Sequence, residues 1–286
     1  IRLAMLVLRV GLVAAAAALA AGAVGVIGAY CAAAFLPGLA AVVWLAALRP
    51  APVPAVPPPV MRRLFRLSVP LAVSGASVTI YSILDKLMLG YFGDATAVGL
   101  YAVARNIVEA SLFPTFALVM ALRPSLAAAW SSGDRKRCAD LARGSLRFAF
   151  VYALCVAVVF AALAGPLVTG LFGAAFGPSA RLLLLFLPLI VMRCLGAVIL
   201  PGLIAADRAG VYARLTVAGA ALNLLFNALL IPRFGATGAV VATLLSYLPI
   251  EVLGLRVVGR SFPGSWRRRD TAAAFRALLV GVAVFL

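Results

Sequence analysis

Apolar residues run along this chain in long blocks cut by short polar or turn-rich clusters, and the blocks have bilayer length. A span needs roughly 20 apolar residues to cross about 30 Å of hydrocarbon. Val10 to Leu48 carries no charge and suits two such spans. Cutting at the clusters predicts nine segments: about Leu3–Ala21, Gly25–Leu48, Leu67–Tyr91, Val98–Trp130, Ser145–Leu167, Arg181–Ile204, Val211–Ile231, Gly235–Leu255 and Ala272 onward. The pattern predicts an all-α integral membrane protein, a polytopic helical bundle of about nine transmembrane segments.

The polar clusters carry sidedness. With the loop after Leu48 in the cytoplasm, alternate loops hold Arg49, Arg62, Arg63 and Arg66; Arg135, Lys136, Arg137, Arg143 and Arg147; Arg208 and Arg214; and Arg256, Arg260, Arg267, Arg268, Arg269 and Arg276. The intervening loops hold only Arg181 and Arg233. Basic loops face the cytoplasm, so the asymmetry sets the orientation and supports the segmentation. Trp44, Tyr91, Trp130 and Trp266 fall near the expected water boundaries. Pro50 to Val60 (PAPVPAVPPPV) is proline-dense and predicts an extended spacer between two helix bundles.

Composition excludes other classes. At 65% hydrophobic and 12% charged residues, the chain lies outside the range of soluble domains, which are about a quarter charged. The formal net charge of +17 does not point to nucleic acid, because the cations lie between apolar segments rather than on one face. There is no histidine, and Cys31, Cys138, Cys155 and Cys194 lack metal-ligand spacing, so no metal site is expected and the cysteines read as small buried apolar residues. The chain opens on Ile1 and closes on Leu286, each inside a hydrophobic segment, as a fragment would. The opening stretch is too long for a secretory leader.

The candidate chemistry lies in polar groups within the spans. Arg193 sits midway along its segment, where a charge costs about 3 kcal/mol or more unless it faces protein or water, and Pro188 and Pro201 invite a kink there. Arg105 and Glu109 are one helical turn apart and predict a pair on one face, with Asn106 beside them. Asp85 and Lys86 diverge by about 100° and predict partners on other helices. Arg123 lies close enough to a span end to snorkel. Asn223 and Asn227 share a face and read as helix-packing amides; Gly235 and Gly238 read as a tight turn.

Two stretches resemble a known family. Leu222 to Leu245 (LNLLFNALLIPRFGATGAVVATLL) and Leu84 to Ala104 (LDKLMLGYFGDATAVGLYAVA) are similar to polysaccharide and O-antigen flippases of the Wzx type, within the multidrug, oligosaccharidyl-lipid and polysaccharide (MOP) flippase superfamily. Met61 to Pro70 (MRRLFRLSVP) resembles the start of that family's second lobe. The resemblance implies a two-lobed, MATE-like transporter working by alternating access. Residues 1–48 would be the last two helices of a truncated first lobe, 49–66 a cytoplasmic linker, 67–255 a six-helix second lobe, 256–271 a basic cytoplasmic loop and 272–286 the start of an accessory helix.

It also implies an undecaprenyl-diphosphate-linked glycan as cargo, passed between leaflets of the bacterial inner membrane, with membrane lipids and other polysaccharide-assembly proteins as partners. A basic cavity would hold the diphosphate, with Arg193, Arg105, Lys86 and Arg123 as candidates. No cofactor is implied beyond a coupling proton or sodium ion, for which Asp85 and Glu109 are candidates. The same fold serves cation antiporters of the multidrug type, whose cavity should be acidic. A membrane-bound glycan polymerase or transferase is the third reading, but it lacks a sizeable polar loop or a nucleotide motif here. The reading is therefore a transporter rather than an enzyme.

Overall fold

The computed structural model describes residues 57–263, together with Gly25, Ala32, Phe35, Leu39, Ala40, Val43 and Ala47, all helical. The expected spans before residue 57 and after residue 263 otherwise lie outside the described residues, as do Cys31, Trp44 and Trp266. The chain divides into two compact units, Ile1–Met61 and Arg62–Leu286. The regular elements described within 57–263 are all helical: α1 Pro58–Phe92, α2 Ala95–Ser111, α3 Phe113–Ser131, α4 Arg135–Phe172, a 3₁₀ turn Ala174–Phe176, α5 Ser179–Leu185, α6 Leu187–Gly196, α7 Ile199–Ala205 and α8 Ala209–Ser261.

Five stretches among these residues are long and apolar enough to cross a membrane: α1, α3, α4, Leu187–Ala205 and α8. Their packing is unequal. In the apolar stretch of Leu187–Ala205 67% of the residues are buried within the protein, whereas in those of α1 and α4 under 20% are. One segment is therefore central, and the others present Leu87, Val151, Val158 and Phe113 outward, as a lipid solvent demands.

Several expected boundaries need correction. The spacer was expected to stay extended through Val60, but α1 begins at Pro58; prolines are tolerated in a first turn, where the backbone N–H groups have no intrahelical acceptor. Arg135, Lys136, Arg137, Arg143 and Arg147, expected in a loop, lie on α4. Asp134 caps that helix by accepting from the Arg137 N–H at 2.9 Å, and its 38 residues run about 57 Å, well beyond the hydrocarbon. The segment Val98–Trp130 is two helices meeting at Leu112, with Pro114 in the first turn of the second. The segment Arg181–Ile204 is three helices, broken at Phe186 and at Ala197–Val198. Cys138 and Cys194 are buried as expected, but Cys155 is exposed, because it falls on the outward face of α4.

The longest helix is a hairpin. Gly235 interrupts α8 with φ 55° and ψ −132°, a conformation open to glycine and strained for other residues. The chain then doubles back: Gly238 packs on the Leu230 carbonyl and Gly219 on Ile250, while Asn223 bonds Ser246. Cross-packing also sorts the ends of the bundle. Trp130 meets Phe262 edge-on at 5.5 Å and Gly202 packs on Phe262, which puts the α3 and α8 C-termini at one end. Gly99 packs on Phe176 at the other.

Candidate functional site

Two polar constellations lie inside the bundle. The first lines a cavity of about 640 Å³ walled by α1, α2, α3, α6, α7 and both limbs of α8. Arg193 enters it from α6, the ten-residue piece between two helix breaks. Its Nη1 donates to the Tyr247 hydroxyl at 2.6 Å, and Tyr247 also accepts from the Tyr81 hydroxyl at 2.5 Å. On the other side, Arg193 Nη2 lies 3.4 Å from Glu109 Oε2.

Glu109 also completes the pair expected within α2: Arg105 Nη2 lies 3.0 Å and Nε 3.1 Å from its Oε1. Arg105 is buried and sits over the Phe186 ring at 5.8 Å. One carboxylate thus bridges two guanidiniums that come from different helices.

The second constellation surrounds Asp85, which is 1% exposed. Its Oδ2 accepts from the Tyr101 hydroxyl at 2.6 Å and the Thr243 hydroxyl at 3.0 Å, and its Oδ1 accepts from Asn227 Nδ2 at 2.6 Å. Asn227 donates its second N–H to Asn223 Oδ1 at 3.1 Å, and Asn223 continues to Ser246 Oγ at 3.4 Å. A chain of neutral donors therefore carries one carboxylate across α1, α2 and both limbs of α8. Tyr101 and Arg105, one turn apart on α2, stand between this network and the cavity.

The other candidates fall elsewhere. Lys86 is partly exposed and absent from the cavity lining, and Arg123 is exposed and also outside it. Asn106 is exposed and faces a separate groove of about 530 Å³ lined by Tyr152 and Cys155; residue 106 lies about 100° around the helix from Arg105.

Sequence reasoning missed Glu251, Tyr81, Tyr247, Tyr101 and Thr243. Glu251 is 8% exposed, lines the cavity and has no hydrogen-bond partner at Oε2 among the described residues. Its carboxyl fills the place where a Cβ at Gly196 would be. The lining is therefore not the basic surface that was expected: it carries Arg193 with Glu109 and Glu251, and Arg105 behind them. An acid one turn before the expected end of the Gly235–Leu255 segment was the available signal for Glu251.

This arrangement of helices is that of the MATE-type transporters. A solved crystal structure of a MATE mutant superposes over 91% of this chain and 62% of its own, with a TM-score of 0.68 at 16% identity. A MOP superfamily transporter from Pyrococcus furiosus superposes over 77% and 51%, with a TM-score of 0.51 at 20% identity.

The family follows from sequence. Residues 1–181 match the model of the polysaccharide biosynthesis protein family, and the chain belongs to that family. Among curated relatives it is similar to the probable low-salt glycan biosynthesis flippase Agl15 of Haloferax volcanii, 25% identical over 67% of this chain and 41% of the relative. It is also similar to the probable flippase AglR of the same organism, 26% identical over 63% and 38%. The chain spans about two-fifths of the length of the curated relatives it matches.

Proposed function

We propose that this chain supplies the second lobe, and the end of the first, of a flippase that moves lipid-linked oligosaccharide across the membrane by alternating access. On this reading the described helices make six passes: α1; α2 with α3; α4; α5 to α7; and the two limbs of α8. The basic ends lie in the cytoplasm of a bacterial inner membrane. The cargo is an undecaprenyl-diphosphate-linked repeat unit, delivered to the periplasmic leaflet.

The observation that carries the reading is the convergence of Arg105 and Arg193 on one anion at the wall of a large intramembrane cavity, in a member of a polysaccharide biosynthesis family. Guanidiniums offer several fixed donors at once and suit phosphate better than any neutral ligand. Arg193→Ala is expected to reduce polymer export at least tenfold, the worth of about 1.4 kcal/mol of binding, in cells that depend on this transporter. Export at the normal level would remove Arg193 from the role.

Coupling to a proton or sodium ion is a separate part of the proposal. Asp85 suits it better than Glu109, because its carboxylate is buried among neutral oxygen- and nitrogen-bearing groups and forms no ion pair among the described residues. Collapsing the proton and sodium gradients one at a time in proteoliposomes separates the two ions, and transport indifferent to both would end the coupling role. A second reading, export of cationic drugs, is favoured by one observation, the two glutamates in the lining. Drug resistance conferred without polymer complementation would establish it in place of the first.

A further inference from the structure

The three members of the Arg105–Glu109–Arg193 cluster are not equally fixed. Arg105 is a built-in part of the fold, its side chain 5% exposed, buried over Phe186. Arg193 is tied through Tyr247 to Tyr81 on α1. Glu109 is the exposed member: its side chain is 43% exposed, against 26% for Arg193, and among the described residues its carboxylate bonds only the two arginines. The cations are held and the anion is free to leave.

The anion is also an incomplete match. A carboxylate has two oxygens, and the guanidiniums together carry ten N–H donors. Glu109 meets Arg105 through one oxygen only and reaches Arg193 at the long distance of 3.4 Å. Arg105 Nη1 is buried with no hydrogen-bond partner among the described residues. A diphosphate esterified at both ends brings four unesterified oxygens, two on each phosphorus, in the geometry that guanidinium forks accept. Leaving the cations without any anion would be costly, because an unpaired buried charge is strongly destabilising.

We propose that Glu109 is a resident counter-anion, holding in the empty cavity the place that a phosphate group of the cargo takes between Arg105 and Arg193. This rests on the reading of the cavity as a diphosphate site and adds a release device to it. Binding proceeds by exchange: the guanidiniums pass from carboxylate to phosphate and Glu109 swings into the open cavity. Its return competes with the phosphate and loosens it. The device keeps the empty cavity electrically satisfied and keeps the loaded one from holding its cargo too tightly to let go.

The test is calorimetric titration of the purified protein in detergent with three probes: undecaprenyl diphosphate, inorganic pyrophosphate and dioleoylphosphatidylglycerol. Glu109→Gln keeps the shape and removes the competing charge, and is expected to bind undecaprenyl diphosphate about tenfold more tightly, with slower dissociation. Glu109→Asp, too short to bridge both arginines, is expected to fall between the two and serves if the Gln variant is poorly folded. In an Arg193→Gln background the gain should shrink to about twofold or less, which a merely structural Glu109 would not produce. A gain with pyrophosphate as well assigns the exchange to the phosphate oxygens, and a gain with phosphatidylglycerol extends it to a single phosphodiester; in both cases Glu109 is the group displaced. Equal or weaker binding by Glu109→Gln, while Arg193→Gln still weakens it, overturns the counter-anion and leaves the diphosphate site standing. If neither Arg193→Gln nor Arg105→Gln changes binding, the diphosphate site itself is wrong.

Discussion

Asp85 accepts three hydrogen bonds and is held by neutral donors on three helical limbs, so its removal and its neutralisation should differ. Asp85→Ala strands the Tyr101 hydroxyl and an Asn227 N–H in a dry interior, and is expected to cost about 3 kcal/mol. Asp85→Asn keeps one acceptor oxygen for Tyr101 and Thr243. Its amide can face Asn227 Oδ1, which has no hydrogen-bond partner among the described residues, once that side chain turns over and gives up its bond to Asn223 Oδ1. The milder variant should lose about 1 kcal/mol, and thermal unfolding of both in detergent checks the order. Residue spacing made part of this site legible: one turn separates Arg105 from Glu109, and one turn separates Asn223 from Asn227. It could not supply two of Asp85's partners, Asn227 and Thr243, which come from 142 and 158 residues further along the chain. Nor could it single out Tyr81 and Tyr247, since an interior tyrosine reads like any other apolar residue until its hydroxyl meets a charge.

The helices themselves were easier to read than their ends. Hydropathy measures the thickness of hydrocarbon that a segment crosses, whereas helix ends are set by caps and breakers. That is why α4 outruns its apolar block at the Asp134 cap, and why the central segment, uniformly apolar in sequence, is three pieces in space. The α8 hairpin shows the opposite case, in which two glycines three residues apart announced the turn. Gly238 lies against the backbone of Leu230, which cannot swing aside as a side chain would. Gly238→Ala should therefore splay the two limbs and destabilise the protein by about 2 kcal/mol. Gly210→Ala, at a helical position with open space around it, should be neutral or slightly stabilising. Comparing the two melting temperatures isolates close approach from helix propensity.

At the scale of the molecule, the arginines and lysine of 135–147 and Arg208, Arg214, Arg256 and Arg260 sort to the end marked by Trp130 and Phe262, and Arg181 and Arg233 to the end marked by the Gly235 turn. Single cysteines placed at Gly133 and at Phe234 of a variant without native cysteines should therefore label from opposite sides of the membrane. An impermeant thiol reagent applied to intact cells is expected to modify position 234 and spare 133; the reverse result would invert the orientation. The family was legible from two short stretches because turn and packing residues at helix ends carry more pattern than lipid-facing ones, which need only be apolar. The polarity of the cavity was not legible, because it depends on how a glycine and an acid from separate helices share space. Glu251 can turn inward only because position 196 bears nothing beyond a hydrogen. The polarity of the compartment is thus governed by volume: a single methyl group on α6 would evict a carboxyl group carried by α8, and with it change which cargoes the chamber tolerates, without altering any ionisable residue.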